Sequence, residues 1–208
     1  MYGTDPACVF LVFCNPGDGG DDALDHWYMK IHGPDALENG SFHALHRYEA
    51  RGDYPARFLA VWEGSFTTLA DARAYIAPRA ADLRKQGRVT DDMTVTWALM
   101  AFRGSAPSAE PAPDPVQTVT LVEGGISGRA IPRKGRAYFY GNIVLHESGD
   151  SLDATNVLWD GVGKPGPAPR GAYQSMFDDP PPPVTHVDGT WVSHWRPIGS
   201  LTMADLGH

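Results

Sequence analysis

The stretch DHWYMKIHGPDAL, residues 25–37, gathers Asp25, Trp27, Tyr28 and His32 in one helix-length window that runs into Gly33-Pro34. Imidazole changes charge near neutral pH, which makes His32 a candidate general acid or base. Leu24, Trp27, Tyr28 and Ile31 recur at i, i+3, i+4 and i+7 and form the buried stripe of a helix. His32 falls at the edge of that stripe. Gly33 and Pro34 end the regular helix in this reading and leave the imidazole free of a following turn. Asp25 shares the angle of His32 but sits two turns, roughly 10 Å, earlier. That is too far to orient the ring, though a carboxylate there biases the local field. The plainer role for His32 is a cap, since a helix C-terminus also favours a cation.

SFHALHRYEA (41–50) reads as a strand. Alternation puts His43, Leu45, Arg47 and Glu49 on one face and Phe42, Ala44, His46 and Tyr48 on the other, so His43 and His46 should point apart. His46 and Tyr48 are the groups expected to assist His32, with a hydrogen-bonded core histidine as the alternative for His46. Arg47 either pairs with Glu49 or Glu63 or holds a substrate oxyanion. Tyr28, Trp62 and Trp97 suit the wall of a pocket for an aromatic compound and equally suit plain core. Tyr138, Tyr140, Trp159, His194 and Trp195 form a second aromatic set further along the chain. Asn142 and His146 share a strand face and add polar groups there.

Other chemistries lack their residues. No nucleotide fingerprint, P-loop or nucleophile elbow is present, and VEGGISGRA lies between strands rather than before a helix. Neither His26 with His32 nor His43 with His46 has the i, i+4 helical spacing for a shared metal. The expectation is therefore no metal and no cofactor.

Stepping outward to the elements, ACVFLVFCN makes strand one (about 7–15), apolar on both faces. PGDGGDD is a turn with Asp21 or Asp22 available as N-cap. ARFLAVWEG (56–64) and MTVTWALMAFRG (93–104) are strands. A helix starts at Thr67 or Thr68, carries Leu69, Ala72, Ile76 and Leu83 inward, and runs through Pro78 towards Gln86. The order β-α-β-β-α-β is that of a ferredoxin-like unit. GSAPSAEPAPDP then reads as a linker, and the second half as strands among Gly- and Pro-rich stretches, with a short helix within APRGAYQSMF.

Of the 208 residues 42% are hydrophobic and 11% aromatic, enough for a real core. A net charge of -8 argues against nucleic acid or an anionic membrane as partner. No apolar run approaches the ~20 residues that cross a bilayer, and MYGTDPACVF lacks signal-peptide features, so a cytoplasmic protein is expected. Cys8 and Cys14 lie on one strand roughly 20 Å apart, against about 5.5 Å for a disulfide. They are expected as free, buried thiols.

As an ordered series, Trp27-Tyr28 followed by His32, then Arg47-Tyr48, then the strand from Pro55 to the acidic Glu63 resembles the EthD-like branch of the dimeric α/β-barrel superfamily. The resemblance covers roughly residues 7–103. It implies two four-stranded sheets packed face to face, usually across a dimer, with helices outside. It also implies small-molecule enzymes or binding proteins, among them dehydratases, isomerases, cyclases and cofactor-free oxygenases; fold alone does not choose among them.

The resulting expectation is an α+β chain. Residues 1–104 form the ferredoxin-like domain of dimeric α/β-barrel type, 105–115 a Pro/Ala-rich linker, and 116–208 a β-rich region, with a degenerate second repeat as the alternative for the last. Strand one needs cover on both faces, from a homodimer partner or from residues 117–197 of the same chain; the homodimer is favoured. The function expected is a cofactor-independent lyase or isomerase acting on a small apolar, aromatic or polyketide-like compound. A non-catalytic binding or accessory protein of an oxygenase pathway is the alternative, and a cofactor-free monooxygenase the third reading.

Overall fold

The computed structural model describes residues 6–51, 54–102, 118–124, 131–132, 136–140, 143–148, 159–160, 174–175 and 190–207. The chain is α+β, and every strand pairing described is antiparallel. Strands β1 (Cys8–Pro16), β2 (Ala44–Arg51), β3 (Phe58–Gly64) and β4 (Met93–Phe102) lie in the order β4-β1-β3-β2. Helices α1 (Gly20–Trp27), α2 (Gly33–Glu38) and α3 (Leu69–Lys85) connect them. This arrangement is compatible with the ferredoxin-like order read from the sequence.

Cap chemistry explains how two of the helices begin. Thr68 caps α3 as expected, its hydroxyl accepting from the Asp71 N–H. At α1, Asp21 and Asp22 lie inside the first turn rather than capping it. The Asp92 carboxylate, from the loop before β4, accepts instead from the Asp18 and Gly19 N–H groups at 2.7 and 2.9 Å. Gly17 is required by that approach, because a Cβ there would meet Asp92 Oδ1 at 2.1 Å.

Between α1 and α2 the chain does not stop. Tyr28–His32 is a π-helical turn, and Gly33-Pro34 opens α2 instead of ending a helix. Proline is tolerated in the first turn of a helix, where its missing N–H leaves no intrahelical bond unmade. The wider π turn puts Pro34 in such a first turn. The Gly33 N–H donates to the Tyr28 carbonyl, and a Cβ at Gly33 would lie 2.4 Å from that oxygen.

The helices cover one face of the sheet. Leu24, Trp27, Tyr28, Ala36 and Leu37 pack on Val12, Cys14, Leu45, Phe58, Ala60 and Trp62. The alternate residues Leu11, Phe13, His46, Tyr48, Leu59 and Val61 are buried as well, so β1 is covered on both faces, as its apolar run requires.

Cover for the second face comes from the same chain. β11 (Thr190–Thr202) pairs along the free edge of β2, and beyond it follow β5 (Thr118–Gly124), β8 (Ile143–Ser148) and β7 (Arg136–Tyr140). Trp195 of β11 meets the Phe13 ring of β1 at 5.9 Å. On a flat sheet those strands stand three spacings, roughly 14 Å, apart. The sheet is therefore curled about Trp195. These strands lie side by side in the order β11-β5-β8-β7, the same order as β4-β1-β3-β2 when each set is counted along the chain.

The short strands β6 (Ile131–Pro132) and β9 (Trp159–Asp160) pair with each other. β10 (Gln174–Ser175) pairs with β4 in the stretch expected to hold a helix. The stretch RAYFYGNIVLHE holds both β7 and β8, which pair with each other. The expected linker 105–115 and Asn142 lie outside the described residues. Among the described residues no helix is long and apolar enough to cross a membrane.

Candidate functional site

β2 and β3 expose alternate residues to the two sides of the sheet, and this sorts the polar groups into two clusters. On the helix side, Arg47 is wholly buried at 0% exposure. Its guanidinium carbon stands 4.0 Å from the centre of the Tyr28 ring and 5.5 Å from that of Phe58. Neither Glu49 nor Glu63 pairs with it. Glu49 bonds Arg57 and Arg196 at the surface, and Glu63 lies across the sheet. All three guanidinium nitrogens lack a hydrogen-bond partner among the described residues. Burial pulls the Arg47 pKa down, while Tyr28, Cys14 and Asp25 push it back up. A guanidinium nevertheless stays charged at any ordinary pH.

Two more buried polar atoms without partners lie on the helical segment that covers this face, Asp25 Oδ1 in α1 and His32 Nδ1 in the π turn. The His32 ring stacks on Trp27 at 4.3 Å and meets Trp62 edge-on at 5.2 Å. Burial lowers its pKa from 6.5 to about 4, with Asp35 opposing. The near-neutral, freely placed imidazole read from the sequence is thus corrected on both counts. A turn of helix follows it, and the aromatic box around it disfavours the imidazolium. Asp35 is itself held by two 2.6 Å bonds from Arg88, whose carbonyl accepts from the Trp27 indole at 3.0 Å.

The second cluster lies on the inner face, towards β11. His46 is 2% exposed and Glu63 0%. His46 Nε2 is 3.1 Å from Glu63 Oε1, and Nδ1 is 3.0 Å from Ser200 Oγ. His43 Nε2 lies 3.6 Å from the other oxygen, Glu63 Oε2. Burial would raise the Glu63 pKa, but hydrogen bonds from His43 and His46 and the charge of His46 hold it well below the usual carboxylate range. His43 and His46 therefore converge on one carboxylate, against the expectation that they diverge. His43 precedes β2 and escapes its pleat, so alternation does not govern it. His43 also lines an open cleft of about 210 Å³ with Ser41, Phe42, Ser65, Phe66 and Met203.

Among the residues singled out from sequence, the structure brings Tyr28, His32, Arg47 and Trp62 together on the helix side. It places His46 and Tyr48 on the opposite face, so they do not reach His32. Trp97 on β4, Tyr140 on β7, His146 on β8 and Trp159 on β9 are placed by strand register alone, opposite Phe13, Ile143, Thr120 and Pro132. Cys8 and Cys14 are free and buried. Burial raises the Cys8 thiol to about 11 and raises Cys14 too, which leaves neither as a thiolate nucleophile. Among the described residues no group of three His, Cys, Asp or Glu side chains suits a metal ion.

Sequence reasoning undervalued Asp25 and Glu63 and passed over Ser200. A carboxylate ending the apolar run FLAVWEG was a usable signal for Glu63. Ser200 carried none, because only the pairing of β11 with β2 gives it a partner.

No family model, curated protein or solved structure matches the chain.

Proposed function

We propose that this chain is a cofactor-independent acid–base enzyme, a lyase or isomerase, built as a ferredoxin-like βαββαβ unit of dimeric α/β-barrel type. The repeated lateral order in β5–β11 supports a degenerate second repeat that takes the place of a dimer partner. On this reading the chain closes its own barrel, and the homodimer favoured from sequence is not needed.

One observation carries the functional reading: the unpartnered buried polar atoms on the helix side of the sheet, from Asp25 and His32 of the helical segment and from Arg47 of β2, which packs against Tyr28. An unpaired buried charge costs several kcal/mol in a folded protein, and such costs concentrate where a ligand offsets them. Arg47 is a fixed cation suited to a carboxylate or to the oxygen of a developing enolate. Asp25 supplies the proton acceptor. His32, neutral at ordinary pH, accepts a hydrogen bond from a substrate hydroxyl at Nδ1. Tyr28 and Trp62 give an aromatic wall, which fits an aryl compound carrying a carbonyl.

In the reaction, a proton leaves the carbon beside the carbonyl for Asp25 and the electron pair moves to the oxygen facing Arg47. Return of the proton to a different carbon isomerises the compound; loss of a neighbouring hydroxyl as water eliminates it. The ligand reaches Arg47 by displacing the Tyr28 ring. The π turn at Tyr28–His32 is the segment of the helix least committed to regular bonding.

Deuterium uptake at the α-carbon of benzoylacetate, an aromatic β-keto acid, tests this by NMR. The wild-type chain is expected to speed the exchange, and Asp25→Asn to slow it by roughly 100-fold or more. Exchange no faster than in buffer would contradict the enzymatic reading. The second reading, a binding protein for an aryl carboxylate, is favoured by the lowered pKa of His32, which leaves no imidazole base near neutrality. It predicts binding without exchange.

A further inference from the structure

The inner-face cluster is distinct from the site under α1, because Arg47 and His46 are successive residues of β2 and point to opposite sides of the sheet. Its three members make a continuous chain of contacts: Ser200 Oγ to His46 Nδ1 at 3.0 Å, then His46 Nε2 to Glu63 Oε1 at 3.1 Å. A hydroxyl, an imidazole and a buried carboxylate in that sequence are the parts of an activated serine nucleophile, recognised by geometry rather than by order in the chain. Glu63 stays ionised, secured by His43 on its second oxygen. An ionised carboxylate can only accept, so Nε2 carries the proton towards Glu63 and Nδ1 faces the Ser200 hydroxyl as its acceptor.

The backbone places Ser200 suitably. The register pairs Ser200 with His46 and Thr202 with Ala44. The Thr202 N–H turns away from β2 and donates to Asp205 Oδ2 at 2.7 Å. Residues two apart in a strand aim their N–H groups the same way, so the Ser200 N–H also points away from β2. Pairing of β11 with β5 ends at Trp195, and among the described residues no strand flanks that side of Ser200. Ser200 itself is half-buried, not sealed in the core. A carbonyl oxygen lying on this edge meets the amide of the nucleophile itself, the donor used in oxyanion stabilisation.

We propose that Ser200, with His46 as base and Glu63 as orienting carboxylate, is a nucleophile for acyl transfer from small uncharged esters. Ser200 Oγ adds to the ester carbonyl while its proton passes to His46 Nδ1. The C–O bond to the alcohol breaks and His46 returns the proton to the departing alkoxide. Water then attacks the acyl-serine, giving its proton to His46, and the carboxylic acid leaves as Ser200 regains its hydrogen.

The test treats the full chain with a fluorophosphonate and follows intact mass. Wild type is expected to gain one adduct, mapped to Ser200 by peptide sequencing. Ser200→Ala, close in volume, is expected to gain none at that peptide. Glu63→Gln and His46→Gln, each checked for retained fold by circular dichroism, are expected to slow labelling by about 100-fold. If either fails to fold, the pH dependence of wild-type labelling replaces it, and a rate that rises through one ionisation to a plateau is the expected profile. Absence of an adduct on wild-type Ser200, labelling at the wild-type rate in a folded Glu63→Gln or His46→Gln, or a pH-independent rate would overturn the proposal.

Discussion

At the scale of single residues, Arg47 is the side chain whose presence is hardest to explain by stability. Met has similar length and no charge to desolvate. Arg47→Met is therefore expected to raise stability, on the order of 1–4 kcal/mol, as a higher melting temperature. A lower one would mean that the guanidinium serves packing alone. His32 gives a second prediction, with its sign set by burial. The folded chain holds its pKa at about 4 against an ordinary 6.5, so the unfolded chain takes up the proton first. Stability is full above roughly pH 6.5 and falls as the pH drops from there to about 4, by at most roughly 3 kcal/mol from this group. His32→Phe keeps a ring against Trp27 and removes the titration. Urea unfolding at stepped pH should show a shallower acid slope in that variant, and an unchanged slope would show that His32 contributes nothing to it.

Among the elements, the π turn is held open by Gly33. Its missing side chain leaves room for the Tyr28 carbonyl at 2.4 Å and for Leu201 Cδ2 at 3.0 Å from a Cβ position. Gly33→Ala should cost about 1–3 kcal/mol through that overlap, read by thermal unfolding. A neutral substitution would mean the turn relaxes freely. The same segment marks where sequence reading stopped. Strands β1, β3 and β4 were legible because their apolar runs are local and uninterrupted, and helix α3 because Thr68 marks its start by a local cap. Proline after glycine signals a helix end equally well whether the chain turns away or starts a new helix, so the continuation into α2 was not. The pairing of His43 with His46 was hidden for a related reason: alternation was carried back beyond the true start of β2 at Ala44. The aromatic box of Trp27, Tyr28, His32 and Trp62 was visible as residue types. The isolation of Arg47 was not, since the lack of a partner is a fact of three dimensions.

For the molecule as a whole, β11 joins the two halves, and no local pattern announces its pairing with β2. Trp195 fills the inner face against Phe13 and Tyr54, at 5.9 and 4.9 Å between ring centres. Internal closure predicts a monomer at micromolar concentration by sedimentation. It also predicts that a fragment ending near Gly104, stripped of Trp195, is aggregated or molten; a soluble, cooperatively folding fragment would show that the first half completes its own core. The central claim is that the buried cation under α1 receives an aryl anion. The most direct measurement is the melting temperature of the full chain titrated with benzoate and, separately, with its uncharged analogue benzamide. Ligand that binds only the folded state raises the transition in proportion to the logarithm of its concentration once saturating. The account predicts a rise with benzoate, none with benzamide, and loss of the benzoate effect in Arg47→Met. Equal responses to the two compounds, or a benzoate effect that survives in Arg47→Met, would contradict it.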